Sequence, residues 1–90
     1  MRTLIESDHY SHQVAGLGEV ERLVDALTGV TWAIAMMPEE FPTLRGLGEL
    51  RVAKSERLKK GTSFIQLRVW FAIRDAHRVE LLGIDYVPWP

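Results

Sequence analysis

The clearest pattern in this chain is an alternation of apolar and polar positions between residues 63 and 74. Alternation of this kind is typical of a strand with one face in a core and the other toward solvent. The apolar positions are Ile65, Leu67, Val69, Phe71 and Ile73. The opposite positions are Gln66, Arg68, Trp70 and Arg74. Weaker patterns predict strands over 47–54 and 79–87, with a charged connector at 54–61 and a turn at 75–77.

Earlier in the chain the apolar spacing is that of a helix. Between residues 19 and 27 the apolar side chains recur at i, i+3, i+4 and i+7, and Gly29 is expected to end this helix. Residues 30–37 fit a buried helix or an alternating strand, and their alanines and methionines favour the helix. Residues 8–18 are interpreted as a loop or the approach to a helix, and residues 1–7 as a short opening strand.

These elements predict a single α+β domain over residues 1–90. Strands joined by short loops should pair antiparallel, and both helices should pack on the apolar face of the sheet. We expect this face to form the core with four helix residues: Val20, Leu23, Val24 and Leu27. No apolar run reaches the roughly 18 residues that a membrane span needs. Cysteine is absent, so a cytoplasmic location is the default expectation.

Charge is distributed unevenly along the chain, although its formal net charge is only −1. Residues 45–78 hold nine basic residues against three acids, a net +6, whereas residues 1–44 hold two against seven, a net −5. A basic sheet in a nearly neutral protein favours a binding face for a polyanion or an acidic partner. The alternative is accidental clustering on an ordinary soluble surface.

Two local motifs resemble ligand-binding sites, one for a dinucleotide and one for a metal ion, but neither has the features that such a site requires. Gly16-Leu17-Gly18 lacks the third glycine and the preceding strand of a dinucleotide-binding loop. His9 and His12 lie near acids, in a segment expected to be a solvated loop. We therefore predict no metal and no cofactor.

Cations and aromatic side chains in the sheet are the stronger candidates for function. Arg51, Lys54 and Arg68 belong to strands that should be neighbours, with Arg51 and Lys54 on opposite faces. Cations on a sheet can hold a phosphate backbone and stabilise a phosphate during RNA cleavage, or simply cover the sheet with their aliphatic stems. Three aromatic residues could stack on bases or pack in the core: Trp70, Tyr86 and Trp89.

Two segments resemble the RelE/ParE superfamily of type II toxins, including its HigB-like and phage-derived branches. The sequence LRGLGELRV at 44–52 is similar to the entry into that family's sheet, and IQLRVWFAIRDAHRVELLGID at 65–85 is similar to its hairpin. EVERLVDAL at 19–27 stands where the first helix of the family would be. The resemblance implies an opening strand and two helices packed on a small antiparallel sheet.

The resemblance also implies a function. Ribosome-dependent members cleave mRNA, and Arg68, Arg51, Lys54 and Tyr86 match positions that could act in catalysis. Arg68 and Arg51 would stabilise phosphate charge, while Lys54 or Tyr86 would assist proton transfer.

Four further cations are expected to contact RNA or a partner: Arg57, Lys59, Lys60 and Arg74. The alternative within the family is a non-catalytic protein that binds and inhibits a protein target such as gyrase. A cognate antitoxin would be a further partner.

Overall fold

The computed structural model describes residues 1–46 and 48–90, and these form one α+β domain. Its elements in chain order are β1 (Thr3–Glu6), α1 (Asp8–Ala15), α2 (Leu23–Met36), a 3₁₀ turn (Pro38–Glu40), β2 (Leu50–Lys60), β3 (Ser63–Ile73) and β4 (Arg78–Pro88). Neither helix in this part of the chain is long and apolar enough to cross a membrane.

The four strands form one mixed sheet in the order β1-β4-β3-β2. The three long strands pair antiparallel, as their short loops predicted. β1 lies parallel to β4, with Thr3 opposite Arg78 and Glu6 opposite Leu81. The opening strand therefore closes one edge of the sheet, and β2 forms the other.

The first helix lies where a loop was expected. Ser7 is its N-cap, and the Ser7 hydroxyl accepts a hydrogen bond of 3.0 Å from the amide of Tyr10. The negative charge of Asp8 in the first turn stabilises the helix, because it lies at the positive end of the helix dipole. Ser7 followed by Asp8 is a sequence signal for the start of a helix. The segment 8–15 has few apolar residues, so the helical spacing that would have supported this signal is weak.

The second helix begins later and extends further than predicted. It starts at Leu23, not at residue 19, because Arg22 adopts a left-handed backbone with φ 61°. Gly29 does not end it, and the helix continues to Met36, which confirms the helical interpretation of the ambiguous segment from residue 30.

The core lies between α2 and one face of the sheet. Leu67, Val69 and Phe71 are completely buried, as the alternation predicted. Val20 is buried, and Leu23 and Leu27 pack against the core. The prediction for Val24 is wrong, because it is 76% exposed on α2.

β2 is longer than its sequence pattern. The predicted connector at 54–61 is wrong: β2 continues to Lys60, and Gly61 with φ 63° lies in the tight turn to β3. A bulge between Lys54 and Arg57 shifts the register, and it interrupts the alternation that the prediction relied on. The predicted strand began at Leu47, which lies outside the described residues.

The two segments predicted to be separate helices on the apolar face, 19–27 and 30–37, fall largely within the single helix α2, and α1 lies elsewhere, at the edge of β4. Tyr10 is buried in the core, while Gln13 reaches the edge of β4 that β1 leaves unpaired. There the Gln13 side-chain oxygen accepts a 2.8 Å hydrogen bond from the amide of Ile84. This bond satisfies part of an edge that would otherwise expose backbone groups.

Candidate functional site

The face of the sheet opposite α2, called the outer face here, carries most of the candidate chemistry. Strand register brings its side chains into rows that cross β2, β3 and β4. One row is Lys54, Arg68 and Asp85, and the next is Arg57, Gln66 and Val87. Residues directly opposite one another in antiparallel strands share a face, so each row is a set of neighbours.

Arg68 is held by a carboxylate in this structure. Its Nε and Nη2 donate to the two carboxylate oxygens of Asp85 at 2.9 and 2.6 Å, a bidentate pair. The hydrogen bond to Asp85 raises the pKa of Arg68, so the guanidinium stays charged. The guanidinium carbon also lies 5.1 Å from the centre of the Trp70 ring. Arg68 could contact a phosphate only by sharing or exchanging this carboxylate.

Lys54 is the one predicted catalytic residue that lies beside Arg68. The two Cα positions are directly opposite across β2 and β3, and Lys54 is exposed. No salt bridge to Lys54 is present among the described residues. Lys54 and Arg68 therefore provide adjacent cations on the outer face, of which Asp85 neutralises one.

Arg51 lies on the opposite side of the sheet and has a structural role. It is opposite the buried Phe71, and its Nη1 donates a 2.6 Å hydrogen bond to the carbonyl of Phe41. The guanidinium thus binds the backbone that follows the 3₁₀ turn. The interpretation of Arg51 as a phosphate ligand next to Arg68 is not supported, because the sheet separates the two side chains.

Tyr86 is also on the face opposite Arg68. Its partner across β3 is the buried Leu67, and its ring is 43% exposed at the end of the sheet. Lys60 shares this face, with its Nζ 5.6 Å from the centre of the Tyr86 ring. The four predicted catalytic residues therefore do not converge: two lie on the outer face and two on the other.

The predicted binding cations also separate into groups. Arg74 is paired with Glu80, with 2.8 Å between Nη2 and Oε1. Arg57 and Lys59 lie on the outer face and have no salt bridge among the described residues. Of the four cations expected to bind a partner, these two are the ones that the outer face leaves available.

Two exposed aromatic side chains accompany these cations. Phe64 lies opposite Lys59, and the guanidinium of Arg57 is 4.4 Å from the centre of its ring. The amide of Trp89, the residue after β4, donates a 2.9 Å hydrogen bond to the carbonyl of Phe64, which places the two backbones side by side. Because Val87 is on the outer face, the alternation of β4 continued to residue 89 puts Trp89 on this face as well. We call this end of the outer face the basic-aromatic end; it consists of Lys54, Arg57, Lys59, Phe64 and Trp89.

Sequence reasoning missed Phe64 as a functional candidate. The period-two pattern of β3 already placed it on the face of Arg68, and this was the available signal. Its neighbours Arg57 and Lys59 were assigned to a connector, so their position beside the ring could not be predicted.

The basic-aromatic end combines positive charge with exposed rings. Phe64 and Trp89 are 46% and 40% exposed, and the Arg57 guanidinium lies over one face of the Phe64 ring, so a planar group would stack on the opposite face or displace Arg57. Arg57 and Lys59 lie beside Phe64, and Lys54 lies further along β2 opposite Arg68, so the cations that can contact phosphates follow one edge of the outer face. Glu21 and Glu56 line the same groove as Arg57, Lys59 and Phe64. Within the described residues there is no cluster of three or more side chains suited to a metal ion. The arrangement can therefore bind an anionic polymer that offers both phosphates and unstacked bases.

The outer face continues into a groove beside α1. This groove has a volume of about 430 Å³, and His9, Trp70 and Asp85 contribute to its lining. Gly83 forms part of it, and a Cβ at Gly83 would lie 2.8 Å from the side-chain oxygen of Gln13. Comparisons of the chain with models of protein families, with curated proteins and with solved structures found no match to any of them.

Proposed function

We propose that this protein binds single-stranded RNA on the outer face of its sheet and acts as a toxin-like inhibitor of translation. The observation that carries the proposal is the basic-aromatic end, where exposed Phe64 and Trp89 share the outer face with Arg57, Lys59 and, further along β2, Lys54, none of which has a salt bridge in the described residues. Single strands are bound in this way, by stacking on aromatic rings and by contacts to phosphates.

The choice of a single strand follows from the shape of the face. Phe64 and Trp89 lie on a sheet, not on a projecting helix that could enter a groove of duplex DNA. Unpaired bases can stack on such rings, whereas bases in an A-form duplex are already stacked on one another. RNA that is unpaired, such as mRNA during translation, is therefore the preferred ligand.

The toxin context comes from the resemblance to the RelE/ParE superfamily. An opening strand and two helices before three antiparallel strands support the resemblance in outline, although the first helix lies at 8–15 and not at 19–27 and the sheet is mixed. In this proposal the protein acts in the cytoplasm, and a cognate antitoxin is its neutralising partner. Binding of mRNA would be enough to inhibit translation without cleaving the message.

The test is a titration of labelled single-stranded RNA by fluorescence anisotropy at several salt concentrations. We expect binding that weakens with salt, because bound phosphates release counterions. Phe64→Ala should weaken binding by about 5- to 150-fold, the loss of about 1–3 kcal/mol for one stacked base. The matched control is Ile5→Ala, which removes an apolar side chain of similar exposure from the far edge strand.

Two outcomes would reject this proposal. Absence of RNA binding at low salt would exclude RNA as the ligand of the outer face. Equal binding of polyglutamate, with no effect of Phe64→Ala, would favour an acidic protein partner and the non-catalytic inhibitor of a host protein.

Cleavage of mRNA is the second candidate function, and the adjacency of Lys54 and Arg68 favours it. In this version Arg68 would stabilise phosphate charge and Lys54 would assist proton transfer during attack by the ribose 2′-OH. Arg51 and Tyr86 take no part, since they lie across the sheet.

The test of cleavage is mRNA integrity on translating ribosomes. Arg68→Lys should remove most of the activity, because lysine cannot reproduce a bidentate clamp. Intact mRNA with the wild-type protein would reject cleavage and leave RNA binding unaffected.

A further inference from the structure

The groove on the outer face has aromatic side chains from both α1 and β3. Gly83 lies at its floor, and a Cβ there would lie 3.7 Å from Cδ2 of His9 and 3.8 Å from Cδ1 of Trp70. The two rings therefore approach the same point, one from the helix and one from the sheet. The volume of about 430 Å³ is within the range of pockets that hold small molecules.

The groove also offers an accessible carboxylate. The side chain of Asp85 is 43% exposed and contributes to the lining, together with the apolar Leu50. Each carboxylate oxygen can accept two hydrogen bonds, and Arg68 donates only one to each of them. Asp85 can therefore accept a further hydrogen bond from a ligand. A planar group with an N–H donor at its edge fits this combination of rings and carboxylate.

The groove lies on the same face as the basic-aromatic end and at a distance that one strand can span. Trp70 is six residues from Phe64 along β3, about 20 Å at a rise of about 3.3 Å per residue. Lys54 and Arg68 lie opposite one another between these two rings. A single strand with one base on Phe64 can therefore pass its phosphates along these cations and reach the groove with a later base.

We propose that the groove binds one nucleobase of this strand and prefers a base with an exocyclic amino group. The base packs against His9 and Trp70, and its amino group donates to Asp85. Adenine and cytosine carry such a group. Uracil has none, and its one free ring N–H lies between two carbonyl oxygens that the carboxylate repels. This inference rests on the proposed function, because it concerns a second base of the same RNA.

The experiment compares two RNA hexamers by fluorescence anisotropy, one of adenosine and one of purine riboside, which lacks only the 6-amino group. The two hexamers have the same phosphate charge and nearly the same stacking surface. We expect the wild type to bind the adenosine hexamer about tenfold more tightly, the effect of one hydrogen bond to a charged group. Asp85→Asn should reduce this preference, because an amide oxygen is a weaker acceptor than a carboxylate. Asp75→Asn, which also removes a carboxylate paired with an arginine, should leave the preference unchanged.

His9→Ala is an independent variant, since the side chain of His9 is exposed and its removal leaves the core intact. It should weaken the binding of both hexamers about fivefold or more, because the base loses a stacking surface. His12→Ala is the matched control: it removes an exposed histidine of the same helix from outside the described lining of the groove, and should leave both affinities unchanged.

The two proposals fail in different ways. Binding of both hexamers with equal affinity, or with no loss in His9→Ala, would overturn the base-binding groove and leave RNA binding at the basic-aromatic end intact. Absence of binding to either hexamer at low salt would overturn both.

Discussion

Lys59 and Lys60 are neighbours in the chain but lie on opposite faces of the sheet. Lys59 is opposite Phe64 on the outer face, whereas the ammonium of Lys60 lies over the ring of Tyr86 on the other face. The two residues have the same charge and lie one position apart next to the hairpin turn, so they form a matched pair for testing which face binds RNA.

Charge reversal at the two lysines should have unequal effects on RNA binding. We expect Lys59→Glu to weaken binding and to reduce the slope of log affinity against log salt by about 0.7 or more, the value for one contact to a single strand. Lys60→Glu should have a smaller effect near physiological salt, where screening acts within about 8 Å. Anisotropy titrations measure the affinity and the salt slope. Equal losses of affinity in the two variants would mean that RNA does not bind on the outer face.

Asp85 limits the charge available on the outer face. Asp85→Asn removes the carboxylate that holds Arg68, so we expect tighter RNA binding and a salt slope steeper by about 0.7. The cost in stability should be about 1 kcal/mol or less, since both partners are partly exposed.

The matched control for Asp85 is Asp75→Asn. Asp75 is also paired with an arginine, Arg78, but it lies in the turn at the other end of the sheet. The control should leave the RNA affinity nearly unchanged. Similar affinity changes in both variants would mean that Arg68 is not part of the RNA-binding surface.

Ser55 stabilises the bulge in β2. Its hydroxyl accepts a 2.9 Å hydrogen bond from the buried amide of Leu67 and donates one of 2.7 Å to the carbonyl of Glu56. Ser55→Ala leaves the Leu67 amide without a partner, so the free energy of unfolding should fall by about 1–3 kcal/mol. Urea denaturation measures this. Thr62→Ala, an exposed change in the next turn, should stay within about 0.5 kcal/mol of the wild type.

Ionisation of Tyr10 should make the free energy of unfolding depend on pH in the alkaline range. Burial, with a smaller contribution from the charge of Glu6, raises the pKa of Tyr10 to about 12. In the unfolded chain the phenol ionises near pH 10, so the folded state keeps a proton that the unfolded state loses. This contribution is complete below about pH 10 and is lost as the pH rises through about 12.

The measurement is urea denaturation of the wild type and of Tyr10→Phe from pH 8 upward. Stability of the wild type should fall more steeply above about pH 10 than that of Tyr10→Phe, which has no phenol to ionise. Parallel pH profiles for the two proteins would show that the Tyr10 phenol has the same pKa in the folded and the unfolded state.

The sequence alone determined which residues of β3 lie in the hydrophobic core. The alternation in β3 identified Leu67, Val69 and Phe71 as buried and Arg68 as outward, because successive side chains of a strand must point to opposite faces. Antiparallel pairing of the three long strands followed from their short connections. The opening strand and the helix from residue 30 were also predicted correctly.

The tertiary structure decided what the periodicity could not. The bulge after Lys54 breaks the alternation, so only strand pairing reveals that Arg57 and Lys59 lie beside Phe64. Helical spacing made Val24 a core candidate, but the rotation of α2 against the sheet leaves it exposed. The partner of Arg68 is Asp85, 17 residues away, and the register of β3 and β4 brings them together. Contacts between segments depend on registers and rotations that the packing of the whole chain selects, and local patterns do not encode them.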